Sequence, residues 1–395
     1  MKREVIAGAM SVLAVLASAE ESRATLRNGV TVVITDVSAA GVTFGTDNGK
    51  RPKLESLSQV RSVDGPLHEK FEANLQLAHD LRRASNRLSR GDEGGAEPLF
   101  EKLWQQTAGV FGPTRAEIAA GLAACRIRRG ASATVIEPWV EWIRRTGELS
   151  PEQLESQRAV LGISESGAYW IDVLPPVWSD SAPVRTLAST SIPATEPASI
   201  HPSGDDIALI YTVAARRDSG APWQIDPAKA IKSPAWTNLA GEMVLAESAS
   251  PEVRSEARQR LLARLGSDVP LWKQMWIRLA VGRSLILETD SDDRRAGVLN
   301  LLWIASRPEG PSAIVTQAIA NAAKGLAALA DAEGARALLS DLERRFPDDP
   351  ILDSAALAST RRSLPPPATP VHPASTTPTA TPDSPSDPPS DKDER

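Results

Sequence analysis

One cysteine, Cys125, stands among 395 residues, so no disulfide can form within the chain. Histidine is almost as scarce. His68 and His79, the nearest pair, are eleven residues apart, or three turns of a shared helix, too far to hold one metal; His201 and His372 are isolated. HExxH, paired cysteines and Gly-x-Ser-x-Gly are absent, and GDEGG at 91–95 lacks the Lys-Ser/Thr a phosphate loop requires. Asp290, Asp292 and Asp293 lack the glycine and distal glutamate of an EF-hand, so we expect Ser291 or Asp292 to cap a helix there. The chain is expected to have no catalytic residue, no cofactor and no metal site. It also has no Asn-x-Ser/Thr acceptor and no apolar run of the roughly 20 residues that span a bilayer.

Positive charge is in deficit too. A net charge of −6 and a pI near 5.5 are opposite to the dense basic field that follows a phosphate backbone, so nucleic acid is not an expected partner. Local basic clusters such as Arg126, Arg128 and Arg129 fall on predicted amphipathic helices with acids nearby.

What is present begins at the N-terminus. Met1-Lys2-Arg3 is a basic start, Val5 to Leu16 an apolar segment, and Ala17-Ser18-Ala19 an A-x-A site, the pattern of a secretory signal peptide over residues 1–19 with cleavage at Ala17 and Ala19. The mature protein is expected in a bacterial periplasm or outside the cell, with no membrane span after cleavage. An uncleaved, N-terminally anchored form is the alternative.

Residues 20–66 read as a small sheet of SH3-like size and pattern. Val30, Val32 and Ile34 alternate with Thr31, Val33 and Thr35, Gly41 marks a turn, Asn48-Gly49 a hairpin, and Leu54, Leu57, Val60 and Val63 further short strands. Residues 67–162 switch to helical period. Thr114 with Glu117, Thr134 with Glu137, and Ser150 with Gln153 each have capping-box spacing. Residues 163–204 are a proline-rich crossover that the sequence predicts to lack regular helices, either linking two helical halves or binding. Helices resume over 205–350, separated by short breaks that force antiparallel neighbours. Residues 351–395 are a predicted disordered tail; from Pro365 onward ten prolines mix with Ser, Thr and Asp.

Ser312 to Pro350 resembles a tetratricopeptide (TPR) unit. Ile314, Ala318, Ile319, Ala322, Leu326 and Leu329 form one stripe, and Ala335, Leu338, Leu339, Leu342 and Phe346 a second. Ala323 is small where two helices would approach, and Pro347 closes the unit. Leu326 and Leu342 depart from the family's usual residues, so the resemblance is to a degenerate member. Residues 69–108 resemble a second unit. The resemblance implies a mainly α, irregular array of helical hairpins that binds a protein or peptide partner along a groove.

Ten tryptophans are the remaining unusual feature. Trp139 with Trp142, and Trp272 with Trp276, sit at helical spacing and read as core. Trp170, Trp178 and Trp223 lie in proline-rich context and are the candidate binding surface. The chain thus reads as a non-enzymatic exported scaffold; the alternatives are a glycan-binding or carbohydrate-active envelope protein and a structural envelope component.

Overall fold

Two hydrophobic periods divide the chain near Gly65, and the computed structural model follows that division. It describes residues 21–45, 52–130, 132–163, 174–178, 180–190, 204–266, 268–307 and 309–366. Signal residues Ala17 and Ala19, the Asn48-Gly49 hairpin and the tail beyond 366 lie outside the described residues.

The strands are β1 (Arg23–Leu26), β2 (Thr31–Ser38), β3 (Gly41–Phe44), β4 (Lys53–Glu55) and β5 (Val60–Asp64). They form one antiparallel sheet of order β4-β3-β2-β1-β5, with a 3-10 turn at Leu57–Gln59 leading into β5. The burial alternation differs from the sequence reading. Val30 precedes β2 and Val33 faces solvent, whereas Ile34 and Val37 are both buried because the register against β3 shifts between Ile34 and Asp36.

So small a sheet cannot close a core by itself. Ala24, Ile34, Val37, Val42, Phe44, Leu57, Val60 and Val63 are completed by Phe71 of α1 (His68–Glu72) and Ala78 of α2 (Leu75–Leu88). The β module is therefore joined to the helices by a shared core.

The first helical group continues with α3 (Glu93–Gln106), α4 (Pro113–Arg128), α5 (Ser132–Arg145) and α6 (Pro151–Leu161). Helices α2 to α5 pack each on the next, and α6 returns onto α4. Ser150 caps α6 in a true capping box with Gln153. Thr134 lies inside α5 rather than ahead of it. Thr114 lies inside α4, behind its N-cap Gly112, and its hydroxyl instead accepts from the Leu57 amide at 3.1 Å.

Within the expected crossover stands a helix, α7 (Ala182–Ser189). Pro183 occupies its first turn, where a missing N–H costs nothing, and Val184, Leu187 and Ala188 are buried. Next come α8 (Gly204–Asp218), α9 (Pro227–Ala230), α10 (Leu239–Leu245), α11 (Pro251–Ala263), α12 (Leu271–Leu285), α13 (Ser291–Ala305), α14 (Ser312–Ala328), α15 (Ala332–Arg345) and α16 (Ala355–Ser363).

Helices α8, α10, α12, α14 and α16 form a row in which each contacts the next, and α11, α13 and α15 pack between or against its members. One continuous core runs from Leu81 to Leu357. Residues 351–363, assigned from the sequence to the tail, instead continue the 3-10 turn at Pro350–Asp353 and form α16. Asp349 and Ser354 cap these two elements, and Ile351 and Leu357 are buried. The protein is thus mainly α, an irregular array of helical hairpins with a small β module in front. No described helix is long and apolar enough to cross a membrane.

Candidate functional site

Of the tryptophans chosen from the sequence, the two that the structure describes pack against the main core. Trp178 is only 6% exposed and leans on Tyr211, ring centroids 6.0 Å apart. Its short apolar stretch Val177-Trp178 packs into the main core, which outweighs the proline-rich context. Trp223 is half-buried against the same core, and Trp170 lies outside the described residues. Trp139 and Trp142 stack at 5.2 Å, fully buried, and the Trp142 indole donates to Gln157 Oε1 at 2.8 Å.

Two cavities stand out instead. The larger, about 460 Å³, lies where the β module meets α2, α4 and α6. Its apolar lining includes Leu88, Phe100, Pro113, Ala120 and Val160; its polar lining includes Ser56, Ser85, Asn86, Gln153 and Gln157. Gly121 exists because Phe100 packs against its Cα, in the place a side chain would take.

At the junction stands Glu117. Its Oε2 accepts from Ser56 Oγ at 2.5 Å and Ser58 Oγ at 2.6 Å, and its Oε1 accepts from Ser85 Oγ at 3.0 Å. Those donors come from the 3-10 turn of the β module and from α2, so one carboxylate ties three parts of the chain together. The joint has other ties. Thr114 N donates to Ala40 O at 3.2 Å, and Gln153 Nε2 donates to Leu54 O and Glu55 Oε1 at 3.2 and 2.7 Å. The sequence signal was present in the Thr114/Glu117 spacing, but both side chains serve partners about sixty residues away rather than their own helix start.

Arg128 borders the cavity with its guanidinium engaged by Leu88 O, Val160 O and Glu93. Glu152 lies at the rim, and the hydroxyl of Ser150 donates to its Oε2 at 2.8 Å. That hydrogen bond is the first cause of a carboxyl pKa below the ordinary value.

The second cavity, about 330 Å³, lies along the row of α8, α10, α12, α14 and α16. Arg217 and Arg283 alternate there with Asp218 and Glu247 in a buried ring. Arg217 lies 2.8 Å from Asp218 and 3.1 Å from Glu247; Arg283 lies 2.8 Å from each acid. The Arg217 Nη1 and Glu247 Oε1 atoms are close without hydrogen-bond alignment, so that side of the ring is held by charge alone. Burial works against the Asp218 carboxylate, but Arg217 and Arg283 outweigh it and hold its pKa below the ordinary value. Lys324 keeps solvent access at the rim, while the protein packed around its ammonium, and then Arg283, lowers its pKa.

His68 and His79 sit on different helices, α1 and α2, and His68 Nδ1 is 2.8 Å from Val63 O; His201 and His372 lie outside the described residues. Among the described residues, no three His, Cys, Asp or Glu side chains group to hold a metal. Asp290, rather than Ser291 or Asp292, caps α13, accepting from the amides of Asp292 and Asp293 at 2.8 and 3.0 Å. No protein family matches the chain, and no curated protein or solved structure shows detectable similarity to it.

Proposed function

We propose that this protein is an exported, non-enzymatic scaffold of TPR-like construction that holds an extended segment of a protein partner in the cell envelope. The observation that carries the reading is the 460 Å³ cavity at the joint of β module and helices. Its lining combines side-chain amides of Asn86 and Gln157, hydroxyls of Ser89 and Ser156 and the hydroxyl oxygens of Ser56 and Ser85 with apolar surface. Neutral donors and acceptors over apolar surface suit a peptide, which presents an amide and a carbonyl at each residue and apolar side chains between them.

The antiparallel pair α14 and α15 supports the repeat-like construction. Asp331 caps its second helix by accepting from Gly334 N at 2.8 Å, and the small Ala323 and Ala335 are fully buried. Burial of Trp139, Trp142, Trp178, Trp236 and Trp276 favours the scaffold over a glycan-stacking protein, because those rings present no open face.

The test is selection of random octapeptides on the full chain, repeated with Ser89→Trp and Ser156→Trp, which fill the cavity. Enriched peptides that lose binding to both variants support the reading. No enrichment, or enrichment indifferent to the filled cavity, overturns it. Export is checked separately with a periplasm-dependent reporter fused after the first 30 residues, and a silent reporter would remove the envelope assignment.

A further inference from the structure

The bound segment is further specified by the Glu117 carboxylate. We infer that the cavity selects a segment bearing a lysine side chain, whose ammonium seats against Glu117; this rests on the peptide-binding reading above.

Two observations carry it. The first is acceptor arithmetic. A carboxylate offers about four lone-pair sites. In Glu117 two on Oε2 are taken by Ser56 and Ser58 and one on Oε1 by Ser85, which leaves one site on Oε1 for an incoming donor. Each of these serine hydroxyls spends its hydrogen on the carboxylate, so what Ser56 and Ser85 can still offer the cavity they line is oxygen lone pairs. The immediate surroundings of Glu117 therefore accept hydrogen bonds and cannot readily donate them.

The second is charge. Glu117 makes no ion pair with a described Lys, Arg or His, and its three described partners are neutral hydroxyls. The other acid of the lining, Glu152, adds to the negative charge, while the one basic residue there, Arg128, is paired with Glu93 at 3.2 Å. A half-buried carboxylate of this kind gains most from a charge-assisted donor.

Lysine fits better than arginine. A guanidinium binds carboxylates through two parallel N–H donors, whereas Glu117 has a single open site. An ammonium places one N–H there and others toward Ser85 and Ser56, with its methylene stem against the apolar lining.

The experiment is the octapeptide selection with wild type and Glu117→Gln side by side. Selected peptides are then remade with lysine replaced by arginine or norleucine and titrated by calorimetry. The inference expects one enriched lysine, at least about tenfold weaker binding with norleucine, and weaker binding with arginine. Glu117→Gln should lose about tenfold for the lysine peptide and bind the norleucine peptide as wild type does. A purely structural role for Glu117 would weaken both peptides alike and overturns the inference. So does enrichment of peptides without lysine, which leaves the scaffold reading standing, whereas absence of any selected peptide fails the scaffold reading itself. Glu117→Asp, which keeps the charge, should retain the lysine preference; its loss with the melting temperature intact overturns the inference too.

Discussion

Gly282 and Gly297 face each other across α12 and α13. A Cβ on Gly297 would stand 2.9 Å from the Gly282 carbonyl oxygen, and one on Gly282 would stand 3.0 Å from the Gly297 oxygen and 2.7 Å from Leu301 Cγ. The two backbones touch because neither residue carries a side chain. Gly325 repeats the device on α14, where a Cβ would meet Val298 and Ile286.

Gly297→Val should therefore lower unfolding free energy by about 3 kcal/mol, since overpacking backbone against backbone exceeds the gain in helix propensity. Gly94→Ala, with nothing within 4 Å of the added carbon, should be neutral or slightly stabilising. Urea midpoints of the two variants check this, and equal midpoints would refute the close approach.

Removing Arg283 leaves Asp218 and Glu247 sharing Arg217 alone. Arg283→Met should cost about 3–5 kcal/mol through the uncompensated buried charge. Adding Glu247→Gln should return part of that loss, because the charge left over is then gone. If the double variant is the less stable one, the ring is not a balanced set.

Glu288 joins α11 to the residues after α12 by accepting from Arg254 at 3.1 and 3.2 Å and from Arg258 at 2.5 Å. The Arg254 hydrogen bond, against burial and aided by Arg258, holds its pKa below the ordinary 4.5. Its stabilisation is complete above that value and is lost as pH falls through the depressed folded pKa. Melting temperatures from about pH 6 to pH 3 should fall more steeply for wild type than for Glu288→Gln. Parallel curves would contradict the shift.

Cys125 is fully buried on α4, and burial first, then Glu97 and Glu93, pushes its thiol up to about 12. At pH 8 about one molecule in ten thousand would carry the thiolate, so a disulfide reagent should label only chains that have opened. Labelling in native buffer as fast as in urea would show that the helix is not closed over it.

Helical rhythm, the β module and the Ser150/Gln153 cap were legible because each is written in residues three or four apart, or in alternation. Thr114 and Glu117 were misread for the same reason. Their spacing satisfies a local rule, yet their partners Leu57, Ser56 and Ser58 lie about sixty residues back, beyond any periodicity. Proline content hid α7, since one proline in a first turn is harmless, and obscured the 3-10 turn and α16, whose anchors Ile351 and Leu357 precede the proline run. Trp178 was misplaced because composition describes its neighbours in sequence, whereas its packing partner Tyr211 arrives on α8.

The joint at Glu117 has a thermodynamic consequence. Ser56 and Ser58 hold the carboxylate from the module side and Ser85 from α2, so the cavity's chemistry exists only while the two parts are docked. Any ligand that prefers the docked form must strengthen the docking by the same factor by which docking strengthens its binding. A partner caught in this cavity would also act as a clasp, drawing the described strands of the module more tightly onto the array.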